Sequence, residues 1–466
     1  MRMSCWGLAF LFLSSMWTVA GCARRDGLGD GQEGTDEDAG IHGGDQDTGG
    51  AVCADGTVAE GSFRIENSWD VGALEGCERI TGTLTIAGGA VLVSVSVLSS
   101  LTTVDGDLAI EGNASLSTLD GLDQLTTIGG ALRIQDNSGL TDATALGGLR
   151  SLAGSLSLGG ALPGATEPSF NANLTGVDFG SLETVGGDVR VQYNTRLASL
   201  GPASSLTATI GSVTVADNPS LSDLSMFGGA TALGGDLTVS NCPQLAALSG
   251  LGALATIQGN VRLWDNFGLT DLSSLGSLTA VHGLLELKGN DALLALDGLG
   301  ALEMAGGGVF IQNHARLESI VALGSLTQVG GEIRVSLNDR LTDLGGFAAV
   351  VSVDGAITVD QNGRLTTLGG LGLVETVGDV TIQHNPRLAT LEAFGGLTTI
   401  NGVVTVRFNP VLPNCVATNL FAPVATVAGS LDIGNNLDPC LSEPSPCELG
   451  QTCTERCDEV GYALCQ

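Results

Sequence analysis

Gly106-Asp107-Leu108-Ala109-Ile110-Glu111-Gly112-Asn113-Ala114-Ser115-Leu116-Ser117-Thr118-Leu119-Asp120-Gly121-Leu122-Asp123-Gln124-Leu125-Thr126-Thr127-Ile128 is one phrase of a chain that repeats it from Gly82 onward. With Asn113 as reference, equivalent positions fall at Gly89, Asn137, Ala161, Asn194, Asn218, Cys242, Asn266, Asn290, His314, Asn338, Asn362, Asn385, Asn409 and Asn436. Nearly every step is 24 residues; one step of 33 carries a loop around Pro163 to Asp178, one is 23, and the last is 27. A fixed period of this length is the mark of a solenoid. Inside the phrase, Leu108 and Ile110 alternate with polar neighbours, as do Val189 with Val191 and Ile333 with Val335. That is the pattern of a short strand buried on one side. From Leu116 the apolar residues come at every third position, which suits short extended pieces separated by corners and offers no helix-length 3.6 pattern. The expected fold is all-β: a β-solenoid of about 15 coils over residues 78–438.

A single coil buries only Leu108, Ile110, Leu116, Leu119, Leu122, Leu125 and Ile128, too little to offset the ordering of its backbone, so the coils must stack. The asparagines then form an interior ladder, because a buried amide needs partners. Cys242 and His314 occupy that ladder as a buried thiol and a hydrogen-bonded imidazole, in preference to any catalytic role.

Outside the repeat, composition sets other limits. Of 466 residues, 43% are apolar but only 4% are aromatic and 70 are glycine; 50 acidic against 18 basic residues give a formal charge of −32. That charge excludes nucleic acid as the expected partner. Residues 1–21 read as a secretory signal, with Arg2, an apolar run from Cys5 to Leu13 and small residues before Cys22. Val19-Ala20-Gly21-Cys22 resembles the lipobox of bacterial lipoproteins, which implies acylation at Cys22 and a membrane anchor; a plain secretory signal is the alternative. Ala23 stands where some bacteria place an inner-membrane retention aspartate, so the expectation is the outer membrane or cell surface of a Gram-negative bacterium. Residues 22–52 follow as an acidic, Gly-rich linker with too little apolar surface to fold.

Cys53, and after it Leu74-Glu75-Gly76-Cys77-Glu78-Arg79-Ile80-Thr81-Gly82-Thr83-Leu84-Thr85-Ile86, resembles the opening of receptor L domains, the ligand-binding modules of insulin-receptor and epidermal-growth-factor-receptor type ectodomains. The recurring phrase Val104-Asp105-Gly106-Asp107-Leu108-Ala109-Ile110 is similar to the same family. The resemblance implies a right-handed β-helix whose first coil is capped at residues 53–77 by a Cys53–Cys77 disulfide. Leucine-rich repeats are the nearest competitor, but their apolar residue comes two after the asparagine and here it comes at three. Fifteen phrases exceed one receptor module, no kinase pattern is present, and ligand-contact residues do not transfer because that family has no fixed contact motif.

Cys415, Cys440, Cys447, Cys453, Cys457 and Cys465 gather near the C-terminus, with residues 439–466 a Cys-rich segment that reads as a disulfide-stapled cap over the last strand edge. Their pairing is open, and zinc at Cys453-x-x-x-Cys457 is the less favoured alternative. No metal or cofactor is expected.

No catalytic motif is present, and the chain is read as non-enzymatic. Arginine is distributed by register. Arg133, Arg190, Arg262 and Arg334 lie four before the reference position, Arg407 two before it, and Arg196, Arg316, Arg340, Arg364 and Arg387 two after it. Tyr193, Trp264, Lys288, Phe310 and Phe408 share this strip. Arginine beside aromatic residues on a rigid sheet makes a candidate face for extracellular protein or glycan. The competing reading is a surface charge lattice in which Asp136, Asp217, Asp265, Asp339 and Asp360 balance the arginines. The functional expectation is a lipid-anchored recognition or adhesion module; a structural envelope scaffold comes second and a polysaccharide-active enzyme last.

Overall fold

In each coil the alternating stretch forms a strand that sends its apolar residues inward. In Val261–Trp264, Val261 and Leu263 are buried while Arg262 and Trp264 remain partly exposed. Each strand pairs in parallel with its equivalent one coil later, so Val213 faces Leu237 and Leu237 faces Val261. The result is one continuous parallel sheet of sixteen strands, from Phe63–Ile65 to Leu431–Gly434. Two-residue strands such as Thr103–Val104 build a second side, in a sheet of six ending at Thr184–Val185 and a sheet of nine starting at Ala232–Leu233. Between these, Ile210 keeps a single bridge to Leu233. The third side alternates isolated bridges such as Ala247 to Asp271 with short 3-10 turns such as Ser273–Leu275. The architecture is a parallel β-solenoid of about fifteen turns with one unbroken apolar core.

This computed structural model describes residues 52–53, 57–160, 170–201, 206–207, 210–391, 394–421 and 424–437, together with the strands Cys453–Cys457 and Ala463–Cys465 without their side chains. Residues 1–21, read above as a secretory signal, Cys22, nearly all of the acidic linker, Cys440, Cys447 and the side chains of Cys453, Cys457 and Cys465 lie outside the described residues.

The asparagine ladder is the chief interior polar feature. Asn137 Oδ1 accepts the Asn113 backbone N–H at 3.1 Å and its side-chain N–H at 2.9 Å, while Asn137 Nδ2 donates to the Ile110 carbonyl at 2.7 Å. The same bonds recur along the C-terminal coils through Asn338, Asn362, Asn385, Asn409 and Asn436. In most coils the residue just before the ladder is in the left-handed region, where the strand turns its corner; Asp136, Asp217 and Asp265 stand there at φ of 54°, 57° and 53°. Asn and Asp tolerate this backbone better than other side chains do.

Two register assignments change. Asn171 occupies the ladder in the long coil: its Oδ1 accepts from Asn137 N at 3.1 Å and its Nδ2 donates to Asn194 Oδ1 at 3.0 Å, while Ala161, the position reached by counting, lies outside the described residues. At the other end Gly88, not Gly89, meets the ladder, its N–H donating to Asn113 Oδ1 at 2.8 Å.

The ends also depart from a pure repeat. Residues 53–77 add a coil of their own: Val58–Ala59 and Phe63–Ile65 begin the two sheets, and Cys53 is disulfide-bonded to Cys77. The helix Ser68–Gly72 covers this end, with Asn67 Oδ1 accepting from the N–H groups of Trp69 and Asp70. The 27-residue step contains a second helix, Asn414–Phe421, which buries Phe421 against Phe394 with ring centroids 5.7 Å apart. Eight residues are too few to show a helical period in sequence, so this helix is not predictable from the repeat. Asn414 Oδ1 accepts from Asn436 Nδ2 at 3.1 Å and closes the ladder. Cys415 is disulfide-bonded. Cys453–Cys457 and Ala463–Cys465 form an antiparallel pair that places Cys453 opposite Cys465.

Candidate functional site

The solvent side of the sixteen-stranded sheet is the broadest regular surface, and parallel register orders it into columns. One column reads Arg262, Glu286, Phe310, Arg334; the next reads Trp264, Lys288, Gln312, Ser336. Neighbouring strands lie about 4.8 Å apart, so consecutive members of a column stand side by side. The Arg262 guanidinium lies over the Trp264 ring at 5.8 Å and Arg334 over Phe310 at 5.5 Å, both within cation–π range. Trp264 Nε1 is buried and has no hydrogen-bond partner among the described residues.

Arg190, Arg262, Trp264, Lys288, Phe310, Arg334 and Arg407 all belong to strands of this sheet. Tyr193 and Phe408 do not: they occupy the left-handed corner at φ 59° and 56°. The arginines two after the ladder come beyond that corner, so the strip seen in sequence is divided in space between sheet and edge. Bulky side chains are uncommon in left-handed backbone, yet Tyr193, Leu337, His384 and Phe408 all stand in it. His384 and Phe408 stack in parallel at 4.9 Å, and His384 Nδ1 is 3.1 Å from Asp360 Oδ1.

The charge lattice exists, but with other acids than those expected. Arg133 pairs with Asp107 at 2.7 Å, Arg190 with Asp188 at 2.6 Å, Arg262 with Asp236 at 2.6 Å, Arg334 with Glu332 at 2.8 Å and Arg407 with Asp432 at 3.2 Å. Most of these carboxylates belong to a second polar ladder at the start of the strand. Asp188 Oδ1 accepts the Ser212 N–H at 2.8 Å, Ser212 Oγ accepts the Asp236 N–H at 3.1 Å, and Asp236 Oδ1 accepts the Asn260 N–H at 2.8 Å. Partial burial pushes the Asp236 carboxyl up, but the Asn260 N–H and the Arg262 guanidinium outweigh it and hold the group below the usual carboxylate range. The sequence signal was the polar residue between glycine and the first strand leucine, as in Gly106-Asp107-Leu108.

Cys242 and His314 lie in the interior as expected. Burial pushes the Cys242 thiol up to about 11, partly offset by N–H groups of Asn218. Burial brings the His314 imidazole down to about 4, against the Asn290 and Leu287 backbone groups and Asp291. His314 Nδ1 accepts the Asn290 N–H at 3.1 Å, and its buried Nε2 has no partner among the described residues.

Against known proteins, residues 76–141 match the Receptor L domain family. A solved structure, "Crystal structure of TLR13-ssRNA13 complex", aligns at 14% identity and a TM-score of 0.25, covering 80% of this chain; the alignment spans 62% of that chain. No curated protein matches the sequence. The matched residues contain the coil phrase and Cys77, and the remaining coils extend the same stack beyond them.

Proposed function

We propose that this chain is a non-catalytic recognition module that takes an extracellular protein or glycan on the solvent side of the long sheet. The observation that carries the reading is the patch of Arg262, Trp264, Lys288, Phe310 and Arg334 on successive strands, where two rings are held under guanidinium groups and an indole N–H is left without a partner. Rings fixed by a rigid sheet lose little freedom on binding, which favours their use as anchors. The likeness of residues 76–141 to receptor L domains supports the same class of function. We read Cys22 as the lipid attachment point and the cell surface of a Gram-negative bacterium as its place, on the lipobox resemblance.

A second reading, a structural envelope rod, is favoured by the ion pairs that already occupy the sheet arginines. Glycan and protein-ectodomain arrays with the full chain distinguish the two. Replacing Trp264 and Arg262 together by alanine is expected to abolish the strongest array signals while leaving the melting temperature within a few degrees. Retained binding by that variant refutes the recognition face.

A further inference from the structure

At the strand Leu156–Leu158 the sheet surface is indented. Its outward residue is Ser157, and the strand is followed by Gly159 and Gly160, so among the described residues little side chain stands on this coil. The strands on both sides carry long groups: Arg133 and Gln135 on one, Arg190 and Gln192 on the other. They enclose a notch of about 250 Å³, near the small end of ligand pockets and suited to a single ring.

The donor and acceptor inventory of this notch is specific. Arg133 and Arg190 face one another across the serine strand, two strand spacings or about 10 Å apart at the backbone. Each directs one terminal nitrogen at an aspartate, Asp107 or Asp188, and a guanidinium has five N–H donors. The opposite oxygens of those aspartates accept the N–H groups of Ala131 and Ser212, which fixes the carboxylates at the strand starts. Gln135 is only 4% exposed; its Nε2 donates to the Gly159 carbonyl at 3.1 Å, but its Oε1 is buried and has no partner among the described residues. A buried acceptor of this kind is costly unless something donates to it. An occupant that fits both features brings an acceptor, best a carboxylate, for the guanidinium N–H groups the aspartates leave free, and a hydroxyl donor for Gln135. Directly after Gln192, Tyr193 meets Phe170 edge to face at 5.5 Å, a ring pair at the end of the same strand.

We infer that this notch is a subsite for a sugar acid, a pyranose bearing a carboxylate such as a uronate. Carboxylate to guanidinium and hydroxyl to glutamine satisfies both demands with one small ligand. The inference deepens the recognition reading and rests on it for a biological setting, while the site stands apart from the Trp264 patch.

The test titrates the full chain with glucuronate and galacturonate, observed by calorimetry and by ligand NMR. Saturable binding is expected, weakened about tenfold or more by Arg190→Gln and abolished by Ser157→Phe. Phenylalanine is accommodated at this register position in Phe310, and the melting temperature of each variant checks its folding. Thr238→Phe, in the same column but outside the notch, is expected to bind as the wild type does. Should Ser157→Phe not fold, Arg190→Gln decides. The inference is overturned if no saturable uronate binding is seen, if glucose, acetate or triglutamate binds as well as the uronates, or if Ser157→Phe binds them unchanged. Array binding that persists without uronate binding removes this subsite alone, and uronate binding without any array partner at the Trp264 patch removes that patch alone.

Discussion

Two ladders of polar side chains run beside the same strands, one sealed and one wet. The inner asparagines Asn338, Asn362, Asn385 and Asn409 are 0% exposed. In the outer pairs the side chains keep far more water, as with Arg407 at 39% and Asp432 at 44%. Both ladders have the same period and link the same coils, yet they are not energetically equivalent. A buried amide that loses its partner leaves groups that water cannot reach, whereas an exposed ion pair exchanges one partner for solvent. The difference suggests a division of labour: the inner ladder fixes the stack, and the outer one is free to vary and to carry recognition.

The sharpest break of this contrast is Asn362→Leu. The Asn338 N–H and the Val335 carbonyl both lose their partner, and a loss of about 4 kcal/mol is expected from two such groups. Native-state hydrogen exchange should show it first in the coils on either side, because repeats are coupled mainly to their neighbours.

His314 tests the same ladder through pH. Its value in the fold is about 4, below the ordinary 6.5, so the unfolded chain binds the proton more readily. Stability due to the neutral ring is complete above about pH 6.5 and falls as pH drops towards 4, by about 3 kcal/mol at the limit. Denaturant titrations at a series of pH values should show this slope, and His314→Asn should remove it.

At Cys242 the raised thiol, near 11, predicts no alkylation by iodoacetamide at pH 8 in the folded chain and full labelling after unfolding, read by mass spectrometry. Cys242→Asn should restore one ladder link and stabilise by about 1 kcal/mol. The smallest effect belongs to the wet side: Arg407→Gln removes the Asp432 pair and the contact 6.0 Å from the Phe408 ring, with an expected change under about 1 kcal/mol in thermal unfolding. A larger loss there would erase the contrast.

The repeat, the inward-facing apolar residues and the ladder were legible because a solenoid converts sequence period directly into spatial layer. Legibility failed where period failed. Ala161 was in phase by counting, but a nine-residue excess can enter anywhere in a coil, and only the bonds to Asn137 and Asn194 identify Asn171 as the rung. The helix Asn414–Phe421 was hidden for the same reason. Of the candidate face, the register of Arg190, Arg262, Trp264 and Phe310 was readable, while the corner position of Tyr193 and Phe408 depends on a backbone angle that spacing does not encode.

By itself, then, the order of residues determined the layers: which side chains point inward, which align along an edge, and that no coil stands alone. The folded chain decided what aligned side chains do to each other. Whether Arg133 and Arg190 flank a notch at Ser157, whether Asp236 holds Arg262, and whether Gln135 is left with an acceptor unused among the described residues are outcomes of packing between coils. They depend on distances of a few ångströms across strands 24 or more residues apart, to which a period is blind.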